Sequence, residues 1–303
     1  MQLPALNAEE SAMLEVIERG TRNGSGPSLL FVHGTWHAAW CWDEHFLDFF
    51  ASKGHHALAV SLRGHGGSPS PKPLRWVTIA DYVDDVATVA NELPSRPVVI
   101  GHSMGGFIVQ KYLESHSAPA GVLLGSAPSG GIWRSTLRTL RRHPRALLAE
   151  TLTLSPYRLV GTLELARDHM FSAHMPDAEV ERYFALLQED SHRAMLDMLV
   201  LNLPKPKRVT APMLVIGADQ DHAFSLKEVR ATARAYGTEA EIFPNMAHHM
   251  LLEPGWERGR RTDRWLAPPV AVWGPEISRV KRAGDSQGRS HRPDPNLAEG
   301  GVG

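Results

Sequence analysis

Residues 101–106 read Gly-His-Ser-Met-Gly-Gly and follow the apolar run Pro97-Val98-Val99-Ile100. This Gly-x-Ser-x-Gly pattern stands where a strand should end and a helix, with apolar spacing over residues 107–113, should begin. A chain that turns so sharply exposes the serine side chain and strains its backbone. Gly101 and Gly105 are required because side chains there would block the close approach of strand and helix. The helix N-terminus behind Ser103 favours negative charge. The hexapeptide alone is also compatible with a tight turn and a bystander serine. A nucleophile needs a base, and the base needs an orienting acid.

The chain has 303 residues, 43% hydrophobic and 21% charged, with 32 basic and 33 acidic side chains. This balance gives no footprint for nucleic acid or a polyanionic partner. The single cysteine, Cys41, excludes an internal disulfide and fits a reducing compartment. Residues 1–10 lack the basic start and apolar stretch of a secretory signal, and no apolar run is long enough to span a bilayer. The chain therefore reads as cytoplasmic. Its oligomeric state is not legible.

Extended runs over 12–18 and 27–32 flank the turn-rich residues 20–26, a hairpin signal. A helix is expected over 38–52, a strand over 56–62, and a glycine-rich loop at Arg63-Gly64-His65-Gly66-Gly67-Ser68. Residues 78–93 form an amphipathic helix capped by Thr78, with Asp81 as acidic partner three residues on. The strand ending at Ser103, its helix, and a strand over 121–124 follow. This alternation predicts an α/β fold with a mostly parallel, doubly wound sheet. It breaks over 129–207, where helical patterns at 132–142, 145–152, 159–170 and 177–201 suggest an inserted helical lid punctuated by Pro144, Pro156 and Pro176. Alternation resumes with a strand over 212–217, a helix over 225–236, a strand over 240–243 and a helix over 254–266. The expected organisation is a core of 1–128 and 208–267, a lid of 129–207, and a disordered tail of 268–303, of which residues 281–303 are too poor in large apolar residues to offset their ordering entropy.

In an open parallel sheet, chemistry gathers at the carboxyl ends of the strands. Besides Ser103, two such ends carry reactive residues: Ala218-Asp219-Gln220-Asp221, and Pro244-Asn245-Met246-Ala247-His248-His249. The chain order is serine, acid, histidine. His248, after the small Ala247, is the expected general base. Asp221 is favoured as the orienting acid because it leads into a helix capped by Ser225, leaving Asp219 to brace the loop. Asp219 stays open as the alternative. Most of the 16 histidines should be inert, and no Cys/His/Asp spacing matches a zinc site. No metal or cofactor is expected. The backbone amides of Thr35, freed to turn by Gly34, and of Met104 should form an oxyanion hole; His33 reads as a strand-end histidine bonded to backbone.

Together His33-Gly34, the loop at 63–68, the hexapeptide at 101–106, Gly217 to Asp221, and His248 to Trp256 resemble the α/β-hydrolase superfamily over about residues 11–266. The block from Val32 to Trp42 looks like that of plant methylesterases and their hydroxynitrile-lyase relatives. Those lyases place threonine where Gly34 stands and lysine where His249 stands, so cyanohydrin cleavage is not expected. Ser103 likewise argues against the aspartate-nucleophile chemistry of haloalkane dehalogenases. Haloperoxidase-like side activity stays open. Ser61 departs from the aspartate that many members carry before the Arg-Gly-His-Gly loop and should alter loop bracing rather than chemistry.

The resemblance implies a serine hydrolase that cleaves a carboxylic ester of a small or medium-sized substrate through an acyl-enzyme. The same triad could serve carbon–carbon bond hydrolysis, or a lysophospholipase or monoacylglycerol lipase. A ligand receptor with a vestigial site is the reading from another class. Met170, Phe171, Met195, Met198 and Leu199 are candidates for an acyl pocket. The run Arg134, Arg138, Arg141, Arg142 and Arg145 reads first as a solvated face, and more sharply as attraction for an anionic substrate or membrane surface.

Overall fold

The computed structural model describes residues 13–22 and 26–256. The tail expected over 268–303, and the helix expected over 254–266 beyond Trp256, lie outside the described residues.

Seven strands form one sheet in the order β1-β3-β2-β4-β5-β6-β7: β1 (Val16–Arg19), β2 (Leu29–Val32), β3 (Ala57–Val60), β4 (Val98–His102), β5 (Gly121–Leu124), β6 (Met213–Ala218) and β7 (Ala240–Phe243). All pairings are parallel except β1 with β3. The inner strands are short apolar runs buried on both faces, as a parallel sheet covered by helices requires. Alternate residues feed two cores. Phe31 faces a cluster with Trp42, Phe46 and Phe50, its ring 4.9 Å from that of Trp42. Leu30 and Val32 face the other way, toward Tyr82, Val86, Phe107 and Ile108.

The expected hairpin between the first two strands is not formed. β1 pairs antiparallel with β3, and β2 lies between β3 and β4. The burial pattern gives the reason. β2 is fully buried and needs a partner on each side, whereas β1 exposes Glu18 and suits an edge. The helix expected over 38–52 is two helices, α1 (Trp40–Asp43) and α2 (Phe46–Ser52), separated by His45 at φ −143°. α3 (Ile79–Asn91) begins with the capping box read from Thr78 and Asp81. α4 (Met104–Tyr112) follows Ser103.

The regular elements between β5 and β6 are all helical: α5 (Trp133–Arg142), α6 (Pro144–Thr153), a 3-10 turn (Pro156–Leu159), α7 (Leu163–Met170), α8 (Asp177–Phe184), α9 (His192–Leu196), a π turn (Asp197–Leu201) and a second 3-10 turn (Pro206–Arg208). The single helix expected over 177–201 is thus broken. Residues 185–191 leave helical geometry so that their backbone and side chains can reach the loops after β2 and β3, as described below. The helix expected over 159–170 begins only at Leu163, where Thr162 caps it. α10 (Leu226–Ala235) returns to the sheet with a capping box of Ser225 and Glu228.

The β4–α4 turn is packed backbone against backbone. A Cβ on Gly105 would sit 2.2 Å from the Val32 carbonyl oxygen, and one on Gly101 would sit 2.3 Å from the Gly105 carbonyl oxygen. Both contacts are backbone and cannot yield by a rotamer change. Gly105→Ala should therefore lower unfolding stability by about 1–3 kcal/mol, the usual cost of overpacking. Gly130→Ala, whose added Cβ meets nothing within 4 Å, should leave it unchanged. Urea denaturation of both variants checks this, and equal behaviour would contradict it.

Candidate active site

Ser103 caps α4 at φ 53° and ψ −117°, in the left-handed half of backbone space. Such a conformation costs on the order of 1–3 kcal/mol in a non-glycine residue. Its surroundings hold it. The Ser103 amide donates to the Leu124 carbonyl at 3.1 Å, and its carbonyl accepts from Phe107 and Ala127. Its side chain is aimed at the ring of His248. Ser103 Oγ lies 2.9 Å from His248 Nε2, and His248 Nδ1 lies 2.9 Å from Asp221 Oδ2. A carboxylate only accepts, so Nδ1 carries the proton and Nε2 is the acceptor facing Ser103.

The two aspartates after β6 divide their tasks. Asp221 Oδ1 accepts from the amides of Ala223 and Phe224 at 2.7 and 2.9 Å, which leaves Oδ2 for His248. Asp219 Oδ1 accepts from the Asn245 amide at 2.8 Å. Asn245 is in the left-handed region at φ 59°. Asp219 thus fixes the turn that carries His248 without touching the ring.

The loop after β2 faces the same point. Gly34 packs so closely that an added Cβ would lie 2.9 Å from Ser103 Cβ and 3.0 Å from His102 Nδ1. Thr35 and Met104 both border the cavity beside Ser103, and neither amide donates to another group among the described residues. The Thr35 carbonyl is taken by His37 Nδ1 at 2.6 Å. Trp36 sits at φ 68°. Its amide donates to Asp190 Oδ2 at 2.9 Å and its carbonyl accepts from the Gln188 amide at 3.0 Å. The Gln188 side chain also bonds Gly64 and Gly66. Residues 188–190 therefore clamp the loops after β2 and β3 together.

Asp190 is fully buried, with its carboxylate 3.2 Å from the equally buried His65 Nε2. The approach is an ion pair without hydrogen-bond alignment, since Nε2 has no well-directed partner. Burial opposes the charge on both groups; their mutual attraction overcomes it, raising the His65 pKa and lowering that of Asp190. Four other imidazoles nearby behave oppositely. Burial pushes His33 down to about 3 and His37 to about 4, and drives His102 and His249 well below the ordinary value. They are neutral at physiological pH and perform packing and bonding. His33 accepts from the Leu62 amide and donates to the Gly34 carbonyl. His102 Nε2 donates to the His248 carbonyl at 2.9 Å. His249 stacks on His37 with ring centroids 4.3 Å apart. Ser61 Oγ, which accepts from the Ala39 amide at 3.0 Å and donates to Glu15, braces this region.

Ser103 and His248 open onto a cavity of about 390 Å³. Its wall includes Met170, Met195, Met198 and Leu199 but not Phe171, whose ring packs instead near Tyr183 and His249. The ion pair of buried Glu150 and half-buried His192, 2.7 Å apart, adds a charged point to this largely apolar wall. Among the described residues, His143, Asp168 and His169 bring potential metal-ligating atoms within 4.8 Å of one another. The Asp168 carboxylate there is already bound by Arg142 at 2.5 Å and His143 at 2.7 Å.

His102, Asp190, Gln188, Glu150 and His192 belong to this site in addition to the residues that the sequence points to. His102 lies inside the hexapeptide and was within reach. Asp190 meets Trp36 from 154 positions away, and no local pattern announces such a contact.

Residues 29–261 match the profile described as alpha/beta hydrolase family. A monoacylglycerol lipase of Mycolicibacterium smegmatis is 26% identical, covering 70% of this chain and 77% of that one. Epoxide hydrolase 3 of Mus musculus is 24% identical, covering 75% of this chain and 66% of the mouse protein. Among solved structures, the monoacylglycerol lipase of Paleococcus ferrophilus superposes with a TM-score of 0.61 at 20% identity, covering 84% of this chain and 98% of that one. No helix among the described residues is long and apolar enough to cross a membrane. With its sheet order, its strand-to-helix turn at Ser103 and a profile match over most of its length, the chain belongs to the alpha/beta hydrolase family.

Proposed function

We propose that the protein is a serine hydrolase that cleaves carboxylic esters through an acyl-enzyme. The observation that carries this reading is the unbroken relay from Asp221 through His248 to Ser103 at the mouth of an apolar cavity. Ser103 Oγ attacks the ester carbonyl while its proton passes to His248 Nε2. Asp221 fixes the ring and stabilises the imidazolium. The amides of Thr35 and Met104 receive the negative charge on the carbonyl oxygen, each contributing about 100–1,000-fold to turnover. The imidazolium then protonates the leaving alcohol, and water activated by His248 releases the acid.

The cavity lies at the lower end of the ~300–1,000 Å³ range of small-molecule sites, which suits a medium-length acyl chain. Its methionines supply a wall that adapts to chain length. We read residues 129–207 as a lid because α5, α6, α7 and α9 supply much of that wall. A monoacylglycerol lipase is the second reading, favoured by the apolar wall and by the mycobacterial relative. The lone, buried Cys41 is in keeping with a cytoplasmic protein.

Ser103→Ala should abolish hydrolysis of a p-nitrophenyl ester series and labelling by a fluorophosphonate; retained turnover would sink the assignment. Asp221→Asn should cost about 10³–10⁴-fold in kcat, and Asp219→Asn no more than about tenfold, with the opposite order making Asp219 the acid. Asp190→Asn should destabilise by about 3 kcal/mol, as loss of one partner of a buried pair does. The raised pKa of His65 means its contribution is present below its ordinary value of 6.5 and fades as pH rises through the folded value. The lowered pKa of Asp190 means its contribution is present above 3.8 and fades below. The stability gap between the wild type and Asp190→Asn should thus be widest between these two values and narrow toward alkaline pH. A gap that does not vary with pH in urea titrations would contradict the pairing.

A further inference from the structure

Large apolar side chains are unevenly exposed on this molecule. Of eleven that are exposed among the described residues, nine lie in the helical segment between β5 and β6. On α5 they are Trp133, Leu137 and Leu140, at 50%, 36% and 48% exposure, and on α6 Leu148 and Leu152, at 59% and 74%. Val200 and Leu201 end the π turn beside the start of α5, where the Ile132 amide donates to the Met198 carbonyl at 3.1 Å. With 3.6 residues per turn, Leu140, Trp133 and Leu137 fall within about 60° of arc, with Arg141 and Arg134 directly beside them. Ser135 and Thr139, on the other side of the same helix, and Thr136 at the flank of the stripe border the cavity.

The charge around this stripe has one sign. Residues 129–163 contain six arginines and a single acid, Glu150, and Glu150 is buried against His192. Arg138 and Arg142 are engaged by Glu228 and Asp168. Arg134, Arg141 and Arg145 have no acidic partner among the described residues, and Arg134 lies over the Trp133 ring at 4.7 Å. A tryptophan and leucines on one arc, with unpaired arginines flanking it, match a helix that lies in the headgroup layer of a lipid surface.

We propose that α5 and α6 dock on an anionic lipid bilayer surface, with Trp133, Leu137, Leu140, Leu148 and Leu152 entering the acyl boundary and Arg134, Arg141 and Arg145 binding lipid phosphates. The same two helices form part of the cavity wall, so a lipid ester leaving the bilayer would meet the cavity without crossing bulk water. That last step rests on the ester-hydrolase reading; the docking surface does not.

Co-sedimentation of the full chain with vesicles of phosphatidylcholine alone, or with 30% phosphatidylglycerol, tests the surface. Binding should require the anionic lipid and fall about tenfold or more in 0.5 M salt. The triple variant Arg134→Gln, Arg141→Gln, Arg145→Gln should bind about tenfold or more weakly, as should Leu140→Ser, Leu148→Ser, Leu152→Ser. Both should keep wild-type turnover of a short, water-soluble ester. If either variant fails to fold, the lipid and salt dependence of the wild type still decides. No vesicle binding, or binding indifferent to lipid charge and salt, would overturn the proposal. So would a concentration-dependent dimer, lost in the leucine variant, as the sole association seen. Vesicle binding without turnover of any ester would overturn the function reading and leave the surface standing.

Discussion

The site depends on one backbone constraint, the reversal at Ser103. The residue is held at a positive φ between a strand packed against β2 and a helix that must pass within contact distance of that strand. Only glycine at 101 and 105 permits the crossing. The reward is that Ser103 Oγ stands clear of the sheet, while the first amide of α4 borders the same cavity with no partner among the described residues. Strain of about 1–3 kcal/mol is sustained because both backbone groups of Ser103 are bonded into β5 and its following loop. Each other part of the site is arranged around this fixed point.

Burial gives the surrounding histidines their character. His33, His37, His102 and His249 are kept neutral by removal from water, so the first three bond backbone and His249 stacks on His37 without adding positive charge beside His248. His65 differs because Asp190 is its neighbour. That pair secures Trp36, and Trp36 secures the position of the Thr35 amide. The helical segment between β5 and β6 thereby contributes to the site twice: it supplies the cavity wall, and through residues 188–190 it holds the loop that presents the Thr35 amide.

Much of this was legible in the chain because it is written locally. The Gly-x-Ser-x-Gly turn, the Thr78–Asp81 capping box and the strand at Ala240–Phe243 each depend on residues a few positions apart. The alternation that implies a parallel sheet brings together the three strand ends that carry serine, acid and histidine in that order. What was misread depends on pairing over distance. The first two strands look like a hairpin from their turn residues, but burial of β2 on both faces forces β3 between them. The 177–201 helix looks continuous by periodicity, yet Gln188 and Asp190 leave it to bind loops more than 120 residues earlier. Phe171 was apolar in the right neighbourhood, but its ring turns toward Tyr183.

The central claim is that Ser103 is the nucleophile that becomes acylated. The most direct measurement is peptide mapping by mass spectrometry after the protein is treated with one equivalent of a fluorophosphonate. The account predicts a single adduct, on the peptide containing Ser103, at near-stoichiometric yield and absent after unfolding in urea. Adducts scattered over other hydroxyls, or no adduct on Ser103 while the folded protein hydrolyses esters, would contradict it.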